Sequence, residues 1–584
     1  MTGGPPPASN ALFARESFTR LHDQPLVTLD GVAKQALETG RTRLLVTGFV
    51  FALAFLAIGL RLVELGVVRE GNEPRLARGE IGRALNMGRA NIVDRNGIVL
   101  ATTLPTQSLY ADPRQVSDPG QTAAALIEVL PGLSKAEVEA KLRLQRGFIW
   151  LKRNLTPRQQ YLVNRLGLPG LHFQRELDRV YPLGPLTAQI VGFTDVDNNG
   201  LAGIERSFDE VLRNGDQPVR LSIDVRVQHI LAEEMAAAIA EFHAVGGAGL
   251  VLDVDSGELI AMASLPTFDP NRPGEAPSEA RFNRATLGIY EMGSVFKIFT
   301  AAMALDEGIV ELSDGYDVRK PIRVARFTIR DFKPKNRWLS VPEIFIYSSN
   351  IGAVHMAMDA GTPVQQAFLA RLGLTQAVAI ELPEVGQPML PSPWREINTM
   401  TIAYGHGLAV SPLQLTRAVA AVVNGGLLKP TTLLKADGAE PPAGQRVIAQ
   451  ETSREMSWLM RLVVQYGTGR QANAPGYLVG GKTGTADKLV GRRYVDDARM
   501  ATFVGAFPMD QPRYVVLVIV DEPKGIERTH GYATGGWVAA PVVRKVVERM
   551  GPLVGIRPHP ATEVAGIDQL LIPAKAEGFV LAAH

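Results

Sequence analysis

Between Leu44 and Leu60 the chain reads LLVTGFVFALAFLAIGL, without a single charge, and Leu62 and Val63 extend the run past one Arg61. At about 1.5 Å per residue, a helix of about 17–20 such residues spans a bilayer core, with Arg61 reaching the interface. A buried core helix is the alternative, but uncharged runs of this length near an N-terminus are uncommon in soluble proteins. A cleaved leader would need its site at Ala52–Ala54, in mid-run and after an unusually long N-terminal region. The run therefore predicts a single membrane anchor. Arg41 and Arg43 precede it while Arg61, Arg69, Arg75 and Arg78 follow, so counting positive charges leaves the orientation open.

The anchor divides a chain of 584 residues into a short tail and a part large enough for two domains. Residues 1–43, rich in Pro, Gly and mixed charge, read as a flexible tail, and 44–63 as the span. Residues 64–220 read as a β-rich first domain, 221–550 as a larger α+β domain, and 551–584 as a terminal tail. The net charge of +2 gives no reason to expect a nucleic-acid surface. The absence of cysteine excludes disulfides, cysteine zinc sites and a thiol nucleophile. Asp94-Arg95-Asn96-Gly97 between β-rich flanks predicts a hairpin. Ser222–Val245 predicts a long amphipathic helix, and GAGLVLDVDSGELIAMASL a second hairpin. Strand-like runs GYLVGGKTGTA, MATFVGAFP and YVVLVIVDE come near the end, followed by a helix over Val538–Met550. Strands at both ends with helices between predict a sheet closed by distant pieces of chain.

Gly476–Thr483 fits the phosphate-binding pattern G-x-x-x-x-G-K-[ST], with Asp521 and Glu522 as candidate magnesium ligands. The context argues against it. RQANAP makes a poor buried strand, Gly484 follows where a helix should begin, and the six residues PMDQPR allow only an antiparallel link between the last two strands. Lys482 finds better partners upstream. In EMGSVFKIFTAAMALDEG, Ser294 and Lys297 lie one turn apart at the start of an apolar helix. That spacing places an amine beside a hydroxyl, and burial would keep the lysine neutral and basic. Ser348-Ser349-Asn350 sets two polar side chains at spacing two before another apolar helix, a pattern that a helix N-cap also explains. Lys482-Thr483-Gly484-Thr485 puts carboxylate-binding groups on a strand, with Gly484 allowing a substrate backbone against its edge. His355, His406 and His530 show no metal-binding spacing and read as structural.

SVFK, SSN and KTG in this order resemble the penicillin-recognising serine acyltransferases, with serine in place of the aspartate of S-D-N, a variation seen in penicillin-binding proteins. GRANIVDRNGIVLA, RVYPLGPLTAQIVGFTDVDNNGLAGIE and LSIDVRVQHILAEEM look like the pedestal of class B penicillin-binding proteins. GHGLAVSPLQLTRAVAAVVNGG, GGKTGTADK and RYVVLVIVDEPKG look like their division-type, FtsI-like septal members.

The resemblance implies an antiparallel sheet with helices on both faces, standing on a β-rich pedestal and anchored by one transmembrane helix. It also implies a single-pass protein of the bacterial inner membrane with its catalytic domain in the periplasm. Ser294 would attack the penultimate D-Ala carbonyl of a peptidoglycan stem peptide, and an amine of a neighbouring stem would resolve the acyl-enzyme. Lys297 would take the serine proton, with Lys482 the other candidate base. Ser348 and Asn350 would relay protons and hold the substrate amide. Lys482, Thr483 and Thr485 would bind the donor carboxylate beside Gly484, and the N–H groups of Ser294 and Thr485 would form an oxyanion hole. No metal or cofactor is implied. The implied partners are stem peptides, β-lactam antibiotics, the membrane, an FtsW-type glycosyltransferase and other divisome membrane proteins.

Four rivals remain, one of them a scaffold that has lost its chemistry, which the three intact motifs argue against. An elongation-type paralogue shares the motifs. A carboxypeptidase or β-lactamase-like hydrolase would need a second base for water, and none is assignable. A β-lactam-sensing receptor would need a cytoplasmic effector larger than the tail allows.

Overall fold

Asp94-Arg95-Asn96-Gly97 turns the chain as its residue types require. The Asp94 carboxylate accepts from the backbone N–H groups of Asn96 and Ile98, both at 2.8 Å, and Gly97 takes the left-handed φ of 87°. The computed structural model describes residues 45–59, 88–324, 327–436, 438, 442–490 and 493–558. Residues 45–59 are helical. Leu44 and residues 60–63 of the expected span lie outside the described residues, as do the tail over 1–43 and the end of the chain from 559. Among the described residues no helix is long and apolar enough to cross a membrane.

The turn at Asp94 joins β1 (Ile92–Val93) to β2 (Val99–Ala111). β2 pairs antiparallel with β3 (Ile149–Leu155) and with β4 (Leu171–Val180), and β5 (Val219–Arg220) runs parallel to β1. Three helices, Pro119–Val129, Lys135–Leu142 and Pro157–Arg165, bury Leu126, Val138, Leu142 and Val163 against Leu109 and Leu151 of the sheet. The two sequence segments on either side of this sheet are tied by a buried ion cluster. Arg89 and Arg179 each donate at 2.7 Å to Glu205, and Arg89 also reaches Asp209 at 2.6 Å. All three side chains of the Arg89–Glu205–Arg179 cluster are buried, so each charge depends on the others for its solvation.

The second sheet has the order β8 (Gly480–Val490), β9 (Arg493–Phe507), β10 (Tyr514–Asp521), β6 (Gly246–Asp253) and β7 (Leu259–Leu265), every pair antiparallel. The PMDQPR link is the hairpin expected of it, and the chain after Thr483 stays in strand, so no phosphate loop is formed. The strand begins at Gly480 rather than Gly476, because Pro475 and Gly476 turn the chain and Leu478 has φ 44°.

β6 and β10 are buried along their whole length because helices cover both faces. On one face α1 (Val225–Glu241) and α7 (Ala539–Met550) set Val227, Leu231 and Val543 against Val516 and Val518. On the other, α2 (Lys297–Asp306), α5 (Pro412–Val423) and α6 (Gln450–Tyr466) pack with Leu250, Val515 and Leu517. The expected helix over Ser222–Val245 is α1, shorter at both ends, with Asp224 capping the Arg226 N–H at 3.0 Å. β8 is left as an edge strand, and its Lys482 reaches Ser348 between α3 (Val341–Tyr347) and α4 (Asn350–Ala360).

Candidate active site

Ser294 sits in a 3-10 turn, Gly293–Phe296, that feeds directly into α2 at Lys297. The turn lies against β8 because two residues there lack side chains. A Cβ on Gly293 would come within 2.6 Å of the Thr485 carbonyl oxygen, and one on Gly484 within 2.5 Å of the Met292 carbonyl oxygen. Any other residue at either position would push the serine away from the strand.

α3 opens with a capping box between Ser340 and Glu343 and ends on Ser348, whose left-handed backbone (φ 58°, ψ 45°) reverses the chain. Ser349 then caps α4, accepting from the Gly352 N–H at 3.1 Å. Both readings of SSN therefore hold. Ser349 is the helix cap, while Ser348 and Asn350 flank it and face Lys297.

Lys297 is buried, and its Nζ has four oxygen neighbours. They are Ser294 Oγ at 3.0 Å, Ser348 Oγ at 3.1 Å, the Ser348 carbonyl at 2.7 Å and Asn350 Oδ1 at 2.7 Å. Asn350 is fixed this way round because its Nδ2 donates to the Arg330 carbonyl at 2.8 Å. The two carbonyl oxygens can only accept, so they hold two of the amine's hydrogens and turn its remaining position toward the two hydroxyls. Burial, and after it the charge of Lys482, holds Lys297 well below the ordinary lysine range, with Asp331 opposing. Lys482 is fully buried, and burial pushes it down to about 7. Its Nζ donates to Ser348 Oγ at 2.9 Å and to the Thr483 carbonyl at 3.3 Å. Ser348 thus bridges the two lysines.

The strand alternation places Thr483 and Thr485 on the opposite face of β8 from Lys482. The Thr483 hydroxyl bonds that of Thr468 at 2.7 Å, and Thr485 Oγ1 accepts from the Gly535 N–H at 3.2 Å. Ser294, Ser348, Asn350 and Thr485 remain partly exposed above the two buried amines. Of the eight residues singled out in the sequence, Ser294, Lys297, Ser348, Asn350 and Lys482 are thus joined by hydrogen bonds, Gly484 and Thr485 touch the turn of Ser294 through backbone, and Thr483 turns to Thr468. Three more were not foreseen. Asp331 accepts from Ser349 Oγ at 2.8 Å and from the N–H groups of Asn350 and Ile351 at 2.6 and 3.0 Å, so it clamps the start of α4. Thr468 and Gly535 support the two threonines. All three lie in loops whose sequence has no period to mark them.

Asp521 and Glu522 take no part in this cleft. Both bind Lys488, at 2.9 Å each. The histidines pack locally: His355 stacks on Tyr316, His406 lies 3.2 Å from Glu291, and His530 meets the Trp537 ring edge-on.

Residues 247–548 match the model of the penicillin-binding protein transpeptidase domain, and residues 85–234 that of the penicillin-binding protein dimerisation domain. The chain is 40% identical over 493 residues to the probable peptidoglycan D,D-transpeptidase FtsI of Caulobacter vibrioides, covering 82% of this chain and 83% of that one. It is 30% identical over 531 residues to the peptidoglycan D,D-transpeptidase FtsI of Escherichia coli K12, covering 85% and 88%. Penicillin-binding protein 3 of Mycobacterium tuberculosis, solved in complex with aztreonam, superposes with a TM-score of 0.64 at 25% identity, over 81% of this chain and 97% of that one. The transpeptidase domain of Burkholderia pseudomallei penicillin-binding protein 3 superposes with a TM-score of 0.52 at 36% identity, over 58% and 97%. With two lysines and two serines converging on one cleft and relatives of this kind along most of its length, the chain belongs to the class B penicillin-binding proteins, among the FtsI-type peptidoglycan D,D-transpeptidases.

Proposed function

We propose that the cleft crosslinks peptidoglycan stem peptides at the division septum through an acyl-enzyme on Ser294. Ser294 Oγ attacks the carbonyl carbon of the penultimate D-Ala while its proton passes to the lone pair of Lys297. The carbonyl oxygen becomes an oxyanion, held by the N–H groups of Ser294 and Thr485; the close approach of the Gly293 turn to Gly484 and Thr485 supports this pairing. As the C–N bond breaks, the proton moves from Lys297 through the Ser348 hydroxyl to the departing D-Ala amine. An amine of a second stem then attacks the ester carbonyl, gives up one proton to the same relay, and the Ser294 oxygen leaves with a proton restored.

Thr483 and Thr485 contact the donor's terminal carboxylate, and Lys482 supplies positive charge from beneath through Ser348. Asn350 orients the substrate amide. The observation that carries this reading is the Lys297 amine, 3.0 Å from Ser294 Oγ and 2.7 Å from each of two carbonyl oxygens that can only accept. A β-lactam would acylate the same serine.

The apolar side chains of residues 45–59, among them Phe49, Phe51, Phe55 and Leu56, are exposed to a degree that fits a lipid surround. We read 44–63 as a single anchor in the inner membrane, 64–220 as the pedestal and 221–550 as the periplasmic catalytic part. An FtsW-type glycosyltransferase and other divisome membrane proteins are the expected partners. The test is covalent labelling of the membrane-embedded protein by a fluorescent penicillin. Ser294→Ala should take no label, and label that survives this change would overturn the nucleophile assignment.

A further inference from the structure

The loop that carries Asp331 continues through Phe332, Lys333, Pro334 and Lys335, all exposed. Its acid is turned inward onto Ser349 and Asn350, so the charges on the outer face of the loop are the cations Lys333 and Lys335. Lys335 rests with its Nζ 4.2 Å from the centre of the Tyr347 ring. Lys333 reaches the other way. Its Nζ lies 5.7 Å from the centre of the Tyr532 ring, and Tyr532 stands three residues before Gly535, whose N–H holds Thr485. A cation anchored next to Asn350 thus meets an exposed aromatic ring anchored next to Thr485, across the cleft.

An ammonium resting on an exposed ring is held weakly, and a carboxylate competes for it with advantage. β8 is an edge strand, so a peptide can run along it between these walls, its reacting carbonyl at Ser294 and its acyl side passing Asn350. We propose that Lys333 is a specificity-determining residue that binds a carboxylate on the acyl side of the donor stem peptide. Tyr532 is its resting place in the empty cleft and a flat wall for the bound chain. The assignment rests on the acyl-transfer reading above.

Benzylpenicillin and carbenicillin differ by one carboxylate on the acyl side chain and serve as probes. Their second-order acylation rate constants would be measured on the full chain in detergent micelles. The ratio of carbenicillin to benzylpenicillin is expected to fall about three- to tenfold in Lys333→Gln and further in Lys333→Glu, and to be kept in Lys333→Arg. About 0.5 M salt should erase most of the difference between the parent and Lys333→Gln. A ratio unchanged in Lys333→Glu, or both rates falling together, overturns the assignment. Failure of benzylpenicillin to acylate the parent protein would instead sink the acyl-transfer reading, and this assignment with it.

Discussion

Replacing Lys297 by Arg separates the base from its role as a hydrogen-bond donor. Arg keeps donors for the Ser348 carbonyl and Asn350 Oδ1, which stand 2.7 Å from the native amine, but it is always charged and offers no lone pair to Ser294. A positioned general base contributes about 10²–10⁴-fold, equivalent to about 2.7–5.4 kcal/mol of barrier. Acylation by a fluorescent penicillin, followed as a time course at saturating and subsaturating concentrations, should slow by that factor in the rate constant of the bond-forming step. Lys297→Ala should be slower still and less stable, since two partly buried carbonyl oxygens lose their donor, at up to about 1 kcal/mol each. A thermal melt reads that loss separately. In the parent protein the rate should rise with pH and level off well below 10.5, because burial lowers the folded-state pKa and more of the amine is neutral at each pH. Lys297→Arg acylating within about threefold of the parent, with the same pH profile, would refute the assignment of Lys297 as the base.

Further outcomes follow from the same geometry. Asp331→Asn removes a charge that holds the Lys297 pKa up, so the acidic limb of the pH–rate profile should move to lower pH, with acylation reduced about tenfold as α4 loosens. A profile that stays in place would count against electrostatic coupling. Lys482 is lowered by burial from the ordinary 10.5 to about 7, so between those values the unfolded chain binds a proton that the folded one has released. Its contribution to stability therefore rises with pH from about 7 to about 10.5 and is flat outside that window. Lys482→Met should flatten this dependence in urea melts and lower acylation at least about 100-fold. Glu205→Ala leaves Arg89 and Arg179 buried without their acid and should cost about 3–5 kcal/mol, read as a shift in the unfolding midpoint. Depletion in cells should give filaments by microscopy, whereas round cells would assign the protein to elongation.

The gathering of Ser294, Lys297 and Lys482 was legible because the proposed chemistry demands residue types at fixed local spacing. Ser294 and Lys297 are one turn apart whether the turn is 3-10, as found, or α. Lys482 to Thr485 read correctly as strand because Gly481 and Gly484 do not interrupt an edge whose neighbour, β9, supplies Phe503 and Val504 opposite. The two hairpins declared themselves through Asn96-Gly97 and Ser256-Gly257 between β-rich flanks. Asp331 and Thr468 were not legible, since each acts through a partner far along the chain and sits in a segment without periodicity. The short ribbons Ile322–Val324 with Phe327–Ile329 and Gly315–Asp317 with Trp338–Ser340 escaped for the same reason. Their three-residue strands are set by packing on α3 and α4 and carry no alternation of their own. The start of β8 was misjudged by four residues because Tyr477, Leu478 and Val479 have strand propensity, while Pro475, Gly476 and the left-handed Leu478 hold them in a turn.

The central claim is that Ser294 carries an acyl group that an amine, in preference to water, removes. The direct measurement supplies a thioester analogue of the acyl-D-Ala donor together with a D-amino acid acceptor and quantifies both products by mass spectrometry. The account predicts that the acylated D-amino acid exceeds the hydrolysis product and that Ser294→Ala forms neither. Hydrolysis alone, or aminolysis that persists in Ser294→Ala, would contradict it.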